Sequence, residues 1–299
     1  MAEITAAAVK ELREQSGLPM MDCKKALTEC DGDVSAAIQW LRERGAQVLA
    51  KRSDRETTFG RFGLYTSMEN GLGAMVELKC ESAPVTQNEE FIQLANDLAE
   101  QLATGPGAYN ADELLGQPSP SQEGNTLLEQ RDELFNRIRE VFNVGRMKRI
   151  DGSCASYSHN AGTVSGVLLE VEGGNAEAGR DICMHIAAMR PVALAVSDLP
   201  EDVVEKERGI LREAALQEGK PENIVDKMVD GRLRNFFAEQ VLCEQPFVKS
   251  DKQTVSQFAE EHGMKLKQFI HWELSDEVDD KGDCEFVEPE GELKQSEEE

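Results

Sequence analysis

Residues 60–66 read Gly-Arg-Phe-Gly-Leu-Tyr-Thr, and residues 74–79 read Ala-Met-Val-Glu-Leu-Lys. A matching pair follows further along the chain, with Gly-Ser-Cys-Ala-Ser-Tyr-Ser at 152–158 and Val-Leu-Leu-Glu-Val-Glu at 167–172. The first segments of the two pairs lie 92 positions apart, and the second segments lie 93 positions apart. This repetition indicates that one structural unit occurs twice in the chain.

Each copy is predicted to be a β-hairpin followed by a helix. Between the first two segments lies Asn70-Gly71, the strongest short signal for a hairpin turn. Apolar residues then recur at helical spacing over 91–103 in the first copy, and a second helix is predicted over 178–189. The sequence therefore predicts an α+β fold with a duplicated hairpin-plus-helix core.

Residues 1–53 are predicted to form a three-helix module. Thr5 and Asp33 are suitable N-caps for the first and third helices, the second helix is expected over about 21–30, and Gly45 is expected to end the third. Met20 and Met21 adjoin a turn. Two interpretations of this Met pair stay open, an adaptable binding surface and a staple over the start of the helix.

The remaining segments complete a four-part organisation. Gly and Pro residues predict a long loop over 104–125, and apolar spacing predicts a helix over 127–144. A helical hairpin is predicted over 200–242, with an apolar seam on its second arm that either packs on the first arm or reaches another surface. A short helix at 254–262 and a strand at 266–274 follow. The predicted parts are a three-helix module (1–54), a first core subdomain (55–145), a second core subdomain with the helical hairpin (146–275) and a tail (276–299).

Charge excludes several classes of partner. The 299 residues include 57 acidic and 32 basic side chains, giving a formal net charge of −25. This balance argues against binding to nucleic acid or to anionic membranes, which need Lys and Arg. Residues 276–299 carry twelve acidic and two basic side chains and few apolar ones, so this tail is predicted to be disordered.

Targeting signals and cysteine motifs are missing from the sequence. The first residues lack the basic-then-apolar pattern of a secretory signal, and no apolar run is long enough to span a bilayer, so a cytoplasmic protein is predicted. The seven Cys residues are an odd number, are widely spaced and form no CxxC pair. They predict reduced thiols rather than a disulfide framework or a zinc site.

No catalytic constellation is apparent. The sequence contains no P-loop, GxGxxG, HExxH, GxSxG or EF-hand pattern. Cys183 and His185 are two positions apart, a spacing that puts them on different faces of a helix. The sequence therefore predicts a protein that is not an enzyme and holds no cofactor or metal.

Four runs of residues resemble one known family. They are Met-Met-Asp-Cys-Lys-Lys-Ala-Leu at 20–27, His-Ile-Ala-Ala-Met-Arg-Pro at 185–191, Glu-Gly-Lys-Pro-Glu-Asn-Ile at 218–224 and Gln-Pro-Phe-Val-Lys at 245–249. In this order they resemble bacterial elongation factor Ts over residues 1 to about 275. The resemblance implies a guanine-nucleotide exchange factor that binds elongation factor Tu and disturbs its phosphate and Mg²⁺ site, so that GDP leaves.

The resemblance also implies where the partner binds. The amino-terminal module resembles the ubiquitin-associated (UBA-like) type that docks on the GTPase domain, and Leu12, Met20 and Met21 match positions in it. His159, Phe247 and Val248 match further interface positions. The helical hairpin matches a projection that serves dimerisation in some members, so a homodimer through it is left open.

One motif departs from the family pattern. The family usually has Thr-Asp-Phe-Val where alignment places Ser82, Ala83, Pro84 and Val85. In the family this Asp-Phe pair wedges between partner helices near the Mg²⁺ site, but Ala83-Pro84 offers neither a charge nor an aromatic ring. This departure leaves open a binder or chaperone of elongation factor Tu that does not promote exchange. A thiol-dependent enzyme on this scaffold is a third, separate hypothesis.

Overall fold

The computed structural model describes residues 4–52, 54–218, 221–274 and 276, and it confirms a mixed α+β fold. The helices are α1 (Ala6–Ser16), α2 (Met20–Glu29), α3 (Val34–Ala50), α4 (Glu89–Thr104), α5 (Ala111–Leu115), α6 (Leu127–Ile138), α7 (Ala176–Met189), α8 (Glu201–Gln217), α9 (Glu222–Gln240) and α10 (Val255–Glu261). The strands are β1 (Phe59–Ser67), β2 (Leu72–Cys80), β3 (Asn143–Ile150), β4 (Cys154–His159), β5 (Ser165–Gly173), β6 (Pro246–Phe247), β7 (Ser250–Thr254) and β8 (Met264–Glu273). The predicted acidic tail lies outside the described residues, apart from Asp276.

The chain divides into two compact units. Among the described residues, the first unit takes in 4–63 and 76–149, and the second takes in 64–75 and 150–276. The three-helix module is thus part of the same unit as α4 and α6. The subdomain boundaries expected from the sequence stay predictions.

The three amino-terminal helices form around a small apolar core. The Thr5 side chain accepts a hydrogen bond from the Ala8 N–H, and Asp33 accepts one from Ala36, so both predicted caps are confirmed. The prediction that Gly45 ends the third helix is wrong, because α3 continues to Ala50. Gly45 instead provides close approach, since a β-carbon there would overlap the side chain of Asn136 in α6. Tertiary packing therefore decides the role of this glycine.

In the first core copy, β1 and β2 form the predicted hairpin. The two strands are hydrogen-bonded neighbours, and their turn contains Gly71 at a φ of 62°, a left-handed conformation that suits glycine. The sheet has the order β1-β2-β3. The helix predicted over 127–144 is wrong beyond Ile138, because α6 ends there and β3 begins at Asn143. The predicted loop at 104–125 also contains the short helix α5.

The second copy repeats the arrangement with a different third strand. The β4–β5 pair is antiparallel, and β5 also pairs in antiparallel fashion with β8, giving the order β4-β5-β8. Helix α7 packs on β4 and β5. The apolar core beneath it includes Val167 and Leu169 of β5, Ile182 of α7 and Phe247. The duplication predicted from the sequence is confirmed in its strand–strand–helix order.

The α8–α9 hairpin encloses most of its own apolar seam. Ala215 of α8 is buried together with Val225, Val229 and Leu233 of α9. Near the start of α9, Ile224 remains 44% exposed. The seam therefore packs on the first arm, one of the two alternatives left open, and its Phe236 and Phe237 also pack on the cluster of Ala193, Leu199 and Val241. Dimerisation through this hairpin stays a prediction.

Candidate functional site

In the first compact unit, four residues of the predicted interface are exposed. Met20 and Met21, in the first turn of α2, are 52% and 72% exposed. Ala83 and Pro84 are exposed in a 3-10 turn at Ala83–Gln87, which connects β2 to α4. Core packing accounts for neither pair, so both are available to a partner.

Three other predicted contact residues lie in cores. Leu12 is fully buried among the three amino-terminal helices, and Val85 is buried beneath the 3-10 turn. Phe247 is 2% exposed and stacks on Phe258, with ring centroids 4.2 Å apart. These side chains are packed within the chain, and their assignment as partner contacts stays a prediction.

Ser82 is held by hydrogen bonds at each of its polar groups. Its N–H donates to Oε2 of Glu140 over 3.0 Å, and its hydroxyl donates to Oε1 of the same carboxylate over 2.6 Å. Its carbonyl accepts a bond from the Cys80 thiol at 3.3 Å. Burial raises the pKa of this thiol to about 12, so Cys80 stays protonated and able to donate. The residue before the exposed turn is therefore fixed in place.

A second hydrogen bond joins the same two segments in the opposite direction, from a backbone N–H of the 140–141 segment to a carboxylate of the 81–82 segment. Glu81 accepts a hydrogen bond from the Val141 N–H at 2.8 Å and pairs with Arg55 at 2.8 Å. Burial would raise the pKa of Glu81, but the Val141 N–H and the Arg55 guanidinium outweigh it and hold this pKa below its usual value. Residues 81–82 and 140–141 thus exchange two carboxylate–backbone bonds, an arrangement we call the clasp.

Arg139 joins the clasp to the amino-terminal helices. Its guanidinium contacts the carboxylate of Asp22 at 2.7 Å, and its carbonyl accepts a bond from Arg52 at 2.7 Å. Asp22 follows Met21 directly in the first turn of α2. The segment Arg139-Glu140 therefore contacts a neighbour of each exposed pair, since Arg139 holds Asp22 after the Met pair and Glu140 holds Ser82 before the turn.

The 3-10 turn is also braced from within. Thr86 donates from its hydroxyl to the Ala83 carbonyl at 2.8 Å, and Arg61 donates to the Thr86 carbonyl at 3.1 Å. Pro84 fixes its own φ and has no N–H to satisfy. The result is a stiff turn with a small apolar tip.

In the second compact unit, two predicted interface residues are exposed. His159 ends β4, and its Nδ1 lies 3.1 Å from the hydroxyl of Tyr157. Val248 is 48% exposed in the turn between β6 and β7. Each is positioned by its own neighbours within the unit.

His185 holds the turn that carries Val248. The buried imidazole accepts a hydrogen bond from the Val248 N–H at Nδ1 over 3.2 Å. Its Nε2 therefore carries the proton and donates to Oε1 of Gln245 over 2.8 Å. Burial lowers the pKa of His185, although the Gln245 hydrogen bond opposes this, and the neutral form is favoured. Gln245 in turn donates to the carbonyl of Glu239 at the end of α9.

Three of these supporting residues were missed from the sequence. Arg139 and Glu140 lie inside the helix predicted over 127–144, and the sequence links His185 only to Cys183 and to the family-like run at 185–191, not to the Val248 turn. For Glu140, the only sequence signal was an acidic residue at the end of the apolar helical pattern. Contacts between segments 58 residues apart decide its role.

The thiols offer little support for nucleophilic chemistry. Burial raises the pKa of Cys154 to about 12 and that of Cys183 further, so both are protonated at neutral pH. Within the described ranges, no three His, Cys, Asp or Glu side chains gather in a group that could hold a metal ion. None of the described helices is long and apolar enough to cross a membrane.

Comparison with known proteins connects the chain to a family. The family model described as Elongation factor TS matches residues 81–276. Elongation factor Ts of Methylococcus capsulatus is 40% identical over 288 residues, covering 95% of this chain and 96% of that protein. The proteins of the same name from Thioalkalivibrio sulfidiphilus (39% over 282 residues, 93% of this chain and 94% of theirs) and Hyphomonas neptunium (40% over 296 residues, 95% and 96%) are similar. The matched share includes parts of both compact units.

Proposed function

Because the chain belongs to the elongation factor Ts family, we propose that it binds elongation factor Tu and promotes the release of GDP from it. The family consists of translation elongation factors, and this confirms the prediction that the chain is not an enzyme. The exchange activity and the contact residues are our proposal. The thiol-dependent alternative is not favoured, because the family has another role.

The exposed turn at Ala83-Pro84 is the observation that carries this proposal. It stands out from the connection between β2 and α4, and Ser82 fixes its first residue through the bonds to Glu140. We expect it to press against elongation factor Tu near the phosphate and Mg²⁺ site. A ligand that binds the nucleotide-free partner more tightly must weaken nucleotide binding by the same factor.

Docking is assigned to the exposed pair Met20-Met21. Adaptable Met side chains suit a surface that fits against a partner helix. In the second unit, Val248 and His159 would add further contacts with the partner. The net charge of −25 makes direct binding to nucleic acid unfavourable. The protein is expected to act in the cytoplasm, where its partner works.

A binder that does not promote exchange is the alternative. One observation favours it: Ala83 and Pro84 present a small tip that lacks both a carboxylate and an aromatic ring. Such a tip would insert less deeply between two helices of a partner. The rest of the interface would still bind.

Stopped-flow release of fluorescent GDP from the cognate elongation factor Tu tests the proposal. We expect the chain to accelerate release in a concentration-dependent manner with a defined maximal rate. If a complex forms by calorimetry while GDP release keeps its spontaneous rate, the alternative replaces the proposal.

The docking assignment has its own test. Met20→Lys combined with Met21→Lys should raise the half-saturating concentration of the chain, because two apolar contacts are replaced by charges. Leu128→Lys is the control, since Leu128 is a 40% exposed apolar side chain on α6 in the same unit. Equal effects of the double substitution and the control would remove the Met pair from the interface.

A further inference from the structure

We propose that Glu140 is a positioning residue that holds the turn at Ala83-Pro84 in the geometry needed for exchange, an inference that rests on the proposed function. Glu140 itself is half-buried, and it reaches the turn through Ser82. Its role is to fix the direction from which the exposed tip meets the partner.

The clasp fixes the turn at its entry. Glu140 receives the N–H and the hydroxyl of Ser82 on its two carboxylate oxygens, and Glu81 receives the N–H of Val141. Hydrogen bonds to ionised carboxylates are about twice as strong as neutral ones. Because the two bonds run in opposite directions between the same two segments, neither segment can slide along the other without breaking both.

Beyond Ser82, the turn is held by Thr86, which bonds to the Ala83 carbonyl, by Arg61 of β1, which donates to the Thr86 carbonyl, and by the buried side chain of Val85. These contacts act within Ala83–Gln87 and not on Ser82. The entry at Ser82 is controlled from outside the turn by Glu140 and the Cys80 thiol.

Glu140 also connects the turn to the exposed pair Met20-Met21, to which docking is assigned. Its neighbour Arg139 holds Asp22, the residue after Met21. Arg139 and Glu140 are consecutive residues, and their α-carbons are therefore about 3.8 Å apart. The contact that holds the Met pair's neighbour and the contact that holds the turn thus lie side by side in the chain. A force on the tip is thereby resisted by the helices that hold the partner.

Positioning and affinity have different kinetic signatures. A turn that is loose at its entry can still follow the partner's surface, so the complex forms with nearly unchanged affinity. A loose turn distorts the partner's nucleotide site less effectively, because a contact made only in the distorted state requires a pre-organised group. Loss of the clasp should therefore lower the maximal rate of GDP release more than it raises the half-saturating concentration.

The test compares Glu140→Ala, Glu140→Gln and the control Glu123→Ala in the full chain. Glu123 is an exposed carboxylate in the same compact unit, so its removal changes net charge by the same amount. We expect Glu140→Ala to reduce the maximal rate about tenfold, the value of one charge-assisted hydrogen bond. Glu140→Gln should recover most of the rate, because its amide oxygen still accepts from the Ser82 N–H. Glu123→Ala should match the unsubstituted chain.

Two outcomes would overturn the inference. One is a Glu140→Ala chain whose maximal rate equals that of Glu123→Ala, and the other is a change confined to the half-saturating concentration. Thermal melting of each variant checks the fold. If Glu140→Ala is unstable, Ser82→Ala maintains the test, because it removes the hydroxyl bond to Glu140 and should lower the maximal rate more than it raises the half-saturating concentration. An unsubstituted chain without exchange activity would count against the proposed function, whereas an active chain with an indifferent Glu140 would count against the clasp alone.

Discussion

The two copies of the hairpin-plus-helix unit differ most in the connection between their second strand and their helix. In the first copy, residues 81–88 join β2 to α4, and in the second, residues 174–175 join β5 to α7. Both connections end in an Asn that caps the helix, Asn88 or Asn175. The connection in the first copy is therefore six residues longer than the corresponding connection in the second, and the exposed turn lies in it.

This difference shows how a duplicated scaffold can carry one active surface. The second connection uses Gly173 and Gly174, both at positive φ, to turn tightly into the helix. The first connection replaces that tight turn with a projecting one, which then needs the clasp to stay rigid. The strands and helices supply the platform, and the additional residues supply the proposed function.

The copies also differ at one matched helix position. Leu98 in α4 and His185 in α7 both lie ten residues after the capping Asn, and both are buried. Leu98 contributes only apolar area, whereas His185 bonds to Val248 and Gln245. The second copy therefore uses its helix, and the first its connection, to fix an exposed segment.

The largest expected effect concerns the carboxylates of the two central strands. Glu77 in β2 is fully buried against Arg146, at 3.0 Å, with Lys79 at 3.6 Å, while its counterpart Glu170 in β5 is half-buried against Gln268 at 2.6 Å. Arg146→Met should cost about 3 kcal/mol of stability, because a buried charge loses its main partner. Gln268→Met should cost about 1 kcal/mol.

Urea unfolding, monitored by amide hydrogen exchange in each unit, measures the losses of stability for Arg146→Met and Gln268→Met. Region-specific exchange is needed because two compact units need not unfold together. Equal losses for Arg146→Met and Gln268→Met would show that burial does not distinguish the two carboxylates.

The next effect concerns the matched position in the helices. His185→Phe should destabilise the second unit by about 2 kcal/mol, because the Val248 N–H and the Gln245 amide lose their partner. Leu98→Met is the comparison, since a volume-conserving apolar change usually costs less than about 1.5 kcal/mol. Amide hydrogen exchange in each unit during urea unfolding gives both values, and a larger loss for Leu98→Met would contradict the assignment.

His185 also predicts a dependence of stability on pH. Its pKa in the folded chain lies below the ordinary value of about 6.5, because burial disfavours the charged form. Between the folded pKa and about 6.5 the unfolded chain binds more protons, so stability falls as pH decreases through this window. His271, whose pKa is lowered mainly by burial, contributes in the same direction. The difference in melting temperature between the unsubstituted chain and His185→Phe should therefore become smaller as pH decreases. A constant difference would exclude His185 as a source of the pH dependence of stability.

The sequence predicted those parts of the fold that local signals control. Thr5 and Asp33 cap their helices as expected, and Asn70-Gly71 forms the hairpin turn. These residues act through backbone groups within a few positions, so their type and spacing are sufficient. The family likewise followed from short runs of residues in the right order.

The errors occurred where distant segments decide the structure. Val141 continues the apolar spacing of α6, yet Arg139 ends the helix at a φ of 66° and the chain turns into β3. Gly45 resembles a helix stop, but it accommodates Asn136 from another helix. Leu12 and Phe247, which match interface positions, are buried, and their role at an interface stays a prediction. No local pattern reveals these contacts.

A smaller effect is expected when the exposed tip is enlarged. Ala83→Asp combined with Pro84→Phe should accelerate GDP release about tenfold, since a buried aromatic anchor at an interface commonly contributes more than 1 kcal/mol. Complex affinity should change less. The two single substitutions, measured in parallel, separate the effect of charge from that of the ring. An unchanged or slower release would mean that another part of the first unit makes the critical contact.

The smallest effect compares the ends of α6 in the first unit and α7 in the second. Both α6 and α7 end at an Arg with positive φ, Arg139 at 66° and Arg190 at 51°. Each Arg also pairs with an acid, Arg139 with Asp22 at 2.7 Å and Arg190 with Glu273 at 2.6 Å.

Substitution by Gly removes the side chain and also relieves the left-handed backbone, whereas substitution by Ala removes the side chain alone. At each position the Ala variant should therefore be less stable than the Gly variant by about 1 kcal/mol. Melting temperatures measure this gap, and identical Ala and Gly variants would show that the backbone conformation carries no cost. GDP release then separates the two positions, because Arg139 adjoins the clasp and Arg190 lies in the other unit. A comparable loss of exchange for Arg190→Gly would mean that support of the exposed turn is not specific to Arg139.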